Sequence, residues 1–108
     1  MGRARVRVRA FRGSRRAADY LEHEMPENVF VCMLKAGRRY KLPLLSSLYQ
    51  HQAAELNKDQ AHQLSNEVET VLAAPEFHEL DQDLARILDV ARWCARSRQR
   101  SWLTISSR

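Results

Sequence analysis

Residues 5–11 read Arg-Val-Arg-Val-Arg-Ala-Phe. Charged and apolar side chains alternate, which is the period of a pleated strand with one buried face. Val6, Val8 and Ala10 are placed inward, and Arg5, Arg7 and Arg9 outward. A strand alone leaves its backbone N–H and C=O groups unpaired, so this segment commits the chain to a sheet. Trp102-Leu103-Thr104-Ile105 reads as a final strand. The two terminal strands are expected in one sheet.

Between them the apolar spacing changes. Ala17, Leu21 and Met25 recur every four residues, with Ala18 on the same stripe, and predict a short amphipathic helix stopped before Pro26. The apolar run Val29–Leu34 predicts a buried central strand. A turn at Ala36-Gly37 and a second strand around Arg39–Leu42 follow. Pro43 suits the first turn of a helix, where its missing N–H costs nothing. Leu44, Leu45, Leu48, Gln52 and Leu56 form one helical stripe, with Tyr49 beside it. Asn57-Lys58-Asp59-Gln60 resembles a capping box and opens a stripe of Ala61, Leu64, Val68, Val71 and Leu72. Phe77, Leu80, Leu84, Ile87, Leu88, Ala91 and Cys94 predict a third long helix. The expected order is β-α-β-β-α-α-α-β. This is one α+β domain over residues 1–108, with about four strands in one sheet packed by about four helices.

The chain carries a net charge of +5, unevenly spread. Residues 1–16 hold seven Arg and no acid, and residues 92–108 hold five Arg and no acid. Residues 17–91 hold all 13 acids against six basic residues. Two basic ends thus flank an acidic middle, an arrangement that self-attraction within the fold explains as well as a partner does. No apolar run approaches the roughly 20 residues of a membrane span. The basic start lacks the apolar core of a secretory signal, and Val6 stands where a myristoylation signal has Ser or Thr. A cytoplasmic protein of bacterial style with two free thiols, no membrane partner and no cofactor is expected.

Several motifs suggest chemistry and fail on context. Cys-x5-Arg occurs at Cys32…Arg38 and Cys94…Arg100. A phosphatase needs that thiolate at the base of a phosphate-cradling loop that opens a helix. Here Cys32 is followed by more strand, and Cys94 lies at a helix end. His23, His51, His62 and His78 form no H-E-x-x-H pattern, so no metal site is assigned. With three glycines in the chain, no Gly-rich phosphate loop is formed. No catalytic residue is assigned, and an enzyme with a dispersed site is the weakest of three readings.

The leading expectation is a small non-enzymatic protein of immunity or inhibitor type. It would mask another protein, such as a toxin or enzyme, through an acidic helical surface. Residues 51–91 carry nine acids against Lys58 and Arg86, more than helix starts require. Glu67, Glu69, Glu79, Asp81 and Asp83 are the candidate partner-binding residues. The alternative is a nucleic-acid-binding module using Arg5, Arg7, Arg9, Arg100 and Trp102. Alternate residues on a strand lie about 6.7 Å apart, close to the separation of neighbouring phosphates. Against it, those arginines can pair with the chain's own acids. Tyr20, Tyr40, Tyr49, Trp93 and Trp102 look too scattered in sequence for a stacking platform.

Overall fold

Across the first antiparallel pair, Arg7 lies opposite Glu24 and Arg9 opposite Glu22. This register belongs to a hairpin of β1 (Arg5–Ser14) and β2 (Ala17–Pro26), joined by Arg15-Arg16. The computed structural model describes residues 4–49 and 52–107. After the hairpin come α1 (Glu27–Arg39), a short α2 (Pro43–Ser47), β3 (Ala54–Asn57) and α3 (Lys58–Leu72). A 3-10 helix (Pro75–Leu80), α4 (Asp81–Ala95) and β4 (Ser101–Ser107) complete the chain. Among the described residues, four antiparallel strands form one sheet in the order β2-β1-β4-β3. The two terminal strands, β1 and β4, share one sheet, as the sequence suggested, and the structure makes them direct neighbours.

One face of the sheet is buried. Val6, Val8, Ala10, Met25, Leu56, Leu103 and Ile105 all point into it and join the apolar sides of the helices in one core. Among the described residues, no helix covers the opposite face. Arg5, Arg7, Arg9 and Phe11 of β1 stand there with Tyr20, Glu22 and Glu24 of β2 and Trp102, Thr104 and Ser106 of β4.

The α+β class, the single sheet and the four helices agree with the sequence reading, and the order agrees in outline. Two neighbouring segments exchange roles. Residues 17–25, read as a helix, are strand β2. A four-residue spacing is also a multiple of two, so Ala17, Leu21 and Met25 share a strand face equally well. Glu22 and Glu24 alternate with Leu21, His23 and Met25, and β1 supplies a pairing edge that a short helix could not satisfy. Residues 29–34, read as a strand, lie in α1. Phe30, Met33, Leu34 and Gly37 are buried at helical spacing, and the helix continues through the presumed turn.

The strand expected near 39–42 is instead the end of α1 and a turn, with Lys41 at φ 54°. The helix expected over 44–56 stops at Ser47, and Leu56 sits in β3. The long third helix is broken into the 3-10 helix and α4. Two local signals appear as read. Pro43 opens α2. Asn57 and Gln60 form a reciprocal capping box at α3, with the Gln60 amide donating to Asn57 Oδ1 at 2.8 Å and the Asn57 amide to Gln60 Oε1 at 2.9 Å.

Candidate functional site

Three of the five acids proposed as a docking surface are paired with other parts of the chain. Glu67 is 5% exposed, and its carboxylate accepts the backbone amides of Leu44 and Leu45 at the start of α2. Gln63 Nε2 donates to it as well, at 2.9 Å. Glu67 is therefore an interior residue and not part of a partner-facing surface. Glu69 pairs with Arg92 of α4. Asp83 lies 2.8 Å from His23 Nε2 and ties α4 to β2. Glu79 and Asp81 are exposed and make no ion pair among the described residues.

The arginine ladder of β1 is met by acids too, and they come from β2 rather than the helices. Arg5 Nε lies 3.2 Å from Glu24, and Arg7 Nε lies 3.2 Å from Glu22. Arg9 hydrogen-bonds to the same Glu22. The Arg7 Nε is buried within ion-pair distance but is not aligned for a hydrogen bond. Arg5, Arg7 and Arg9 thus form a checkerboard with Glu22 and Glu24 instead of an open phosphate rail.

A different basic surface is assembled where the two ends of the chain meet. The hairpin tip places Arg12, Arg15 and Arg16 beside the connection from α4 to β4, which carries Arg96, Arg98 and Arg100. Gly13 makes this close approach: its φ of +107° suits glycine, and its amide donates to the Arg100 carbonyl at 2.8 Å. A Cβ there would also lie 3.1 Å from the Ala17 carbonyl. Lys58 Nζ pins the connection by donating to the Ser97 and Gln99 carbonyls at 2.8 and 2.9 Å.

Two hollows flank the tip. One, of about 400 Å³, is lined by Arg12, Asp89, Arg92, Trp93, Arg96 and Ser97. The other, of about 340 Å³, includes Arg15, Glu55, Asn57, Arg100 and Trp102. Arg12 lies over the Trp93 ring at 4.6 Å and Arg15 over the Trp102 ring at 4.9 Å. Such stacking limits the freedom of a guanidinium while leaving its edge donors available. Arg12 also approaches Asp19 (3.5 Å), and Arg15 approaches Glu55 (3.3 Å). Arg16, Arg96, Arg98 and Arg100 make no ion pair among the described residues.

No protein-family model, curated protein or solved structure matches the chain. Its own side chains therefore carry the functional argument.

Aromatic residues that look dispersed in sequence converge in part. Phe11 stacks on Trp102 with centroids 5.3 Å apart, and it meets Tyr20 at 6.0 Å. Trp102 itself is only 9% exposed, so it is a floor beneath Phe11 and Arg15 rather than an open ring. Tyr20 is 60% exposed. The signal for this row was the odd parity of Phe11 on β1, which acquires meaning only with the strand register. Trp93 lies apart, beneath Arg12, while Tyr40 packs against Phe77.

The thiols lie in structural positions. Cys32 is within α1, so the segment to Arg38 is helix and cannot cradle phosphate. Cys94 is buried in α4, and that burial pushes its thiol above the ordinary range. His62 and His78 are exposed, and His51 lies outside the described residues. Among the described residues no cluster of His, Cys, Asp or Glu could hold a metal, and no helix is long and apolar enough to cross a membrane.

Proposed function

We propose that this protein binds nucleic acid through the phosphate backbone, at the arginine pole formed by the β1–β2 tip and the α4–β4 connection. The carrying observation is that the β1–β2 tip and the α4–β4 connection meet at the Gly13–Arg100 hydrogen bond, and that these two segments carry Arg16, Arg96, Arg98 and Arg100, all exposed and without acidic partners among the described residues. Guanidinium groups bind phosphate oxygens through paired donors, and each contact releases condensed counterions. Arg12 and Arg15, stacked on Trp93 and Trp102, extend the same surface. Masking of a basic protein through acidic helices has less support, because Glu67, Glu69 and Asp83 are engaged within the fold.

The test is oligonucleotide binding as a function of salt. Replacing Arg16, Arg96, Arg98 and Arg100 together with Ala should weaken binding. It should also reduce the slope of log K against log salt by about one unit per lost phosphate contact. Arg5→Ala, at a position paired with Glu24, should leave the slope in place. Absence of binding at low salt, or a slope indifferent to the four substitutions, overturns the proposal. Specific capture of a basic protein that depends on Glu79 and Asp81 would move the function to the acidic side.

A further inference from the structure

We infer that the nucleic acid held at the arginine pole is single-stranded, with bases lying on the open sheet face against Tyr20 and Phe11. The inference rests on the proposed backbone binding and adds the class of ligand.

Tyr20, Phe11 and Trp102 form a row across the three adjacent strands β2, β1 and β4, as direct cross-strand partners. The row lies on the face that no helix covers. Trp102 supports it from one side: Phe11 stacks on that ring at an interplanar angle of 14°, and Arg15 covers the ring as well. Phe11 is therefore held at a fixed tilt; Tyr20 beside it has the Arg9 guanidinium over its ring at 5.7 Å yet stays 60% exposed, which leaves ring surface open to a base.

The charges bound the path of a ligand. Arg15, Arg16 and Arg100 stand at the pole end of the row, where phosphates would be attracted. On the far side of Tyr20 the arginines of β1 are paired with Glu22 and Glu24, so the arginines without acidic partners lie at the pole end. Thr104, opposite Arg9, adds a polar side chain to the same sheet face. Aromatic rings on an open sheet bind base faces, which are available in a single strand and hidden inside a duplex. A basic pole alone would serve either form, so the adjoining aromatic row selects between them.

The experiment compares three probes of about 12 nucleotides at one moderate salt concentration: a mixed-sequence single-stranded DNA, its abasic analogue and a blunt duplex. The single strand should bind about tenfold more tightly than the abasic chain. Tyr20→Ala should remove that difference without changing abasic binding, and Tyr20→Phe should restore it. Tyr20 is exposed, so these variants keep the core intact. Equal binding of all three probes, lost when the four pole arginines are replaced, would keep the pole and overturn the single-strand inference. Equal loss on every probe with Tyr20→Ala would overturn it too. Failure of all three probes to bind overturns both readings.

Discussion

The carboxylate of Glu67, on α3, accepts the backbone amide of Leu45, on α2, at 2.8 Å. A second oxygen takes the Leu44 amide at 3.0 Å. The five-residue α2 has no side-chain cap of its own, so its first amides would otherwise be orphaned in the interior. A carboxylate from another helix fills that role, favoured by the positive end of α2.

Glu67→Ala is therefore expected to destabilise the fold by about 3 kcal/mol, since it strands buried donors that had a charged acceptor. Glu67→Gln should lose about half as much. Glu79→Ala, at an exposed position, should stay within about 0.5 kcal/mol of the parent. Denaturant midpoints at unchanged slope would check the series, and equal effects at positions 67 and 79 would refute the capping role.

Gly37 allows α1 to rest on α2. A Cβ at this position would lie 2.5 Å from Leu45 Cβ and 3.3 Å from its carbonyl carbon. Ala gains about 1 kcal/mol over Gly in helix propensity, but overpacking against backbone costs about 1–3 kcal/mol. Gly37→Ala should lower stability on balance. Leu45→Ala should not relieve it, because the offending Cβ remains. A rise in thermal midpoint for Gly37→Ala would show that the two helices can separate freely.

The alternation in β1 gives a paired test. Val8→Asp places an unpaired charge among fully buried residues and should cost more than about 4 kcal/mol. Glu22→Ala leaves Arg7 and Arg9 without their shared carboxylate at a partly solvated position, and about 1 kcal/mol is expected. Comparable damage from both, read in denaturant melts, would contradict the inward and outward faces.

Cys94 links stability to alkaline pH. Burial raises its thiol pKa in the folded protein, so the folded state holds the proton longer than the unfolded chain does. This contribution is fully present below the unfolded thiol value of about 8.5. It declines as pH rises from there towards the raised folded value, since the unfolded chain then binds fewer protons. Cys94→Ala should show a shallower alkaline loss than the parent. A thiol reagent should modify the half-buried Cys32 before Cys94, and the reverse order would place Cys94 at the surface.

The sequence by itself determined the elements whose signals are local. The Arg-Val-Arg-Val alternation set the faces of β1, Pro43 marked the start of α2, and Asn57 with Gln60 marked the cap of α3. In each, the deciding interactions lie within one turn or one pleat. Tertiary structure alone decided the rest. A four-residue spacing at Ala17, Leu21 and Met25 fits a helix or a strand, and the edge offered by β1 resolved it. The run Val29–Leu34 fits either as well, and the core that buries Phe30, Met33 and Leu34 made it helical. Glu67 reads as one acid among nine until α2 brings two bare amides to it. The arginines at residues 12–16 and 96–100 become one surface only because β1 and β4 pair antiparallel, placing residues far apart in the chain side by side. Charge and hydrophobicity are properties of single residues, but pairing, burial and proximity are relations that arise only when the sheet closes.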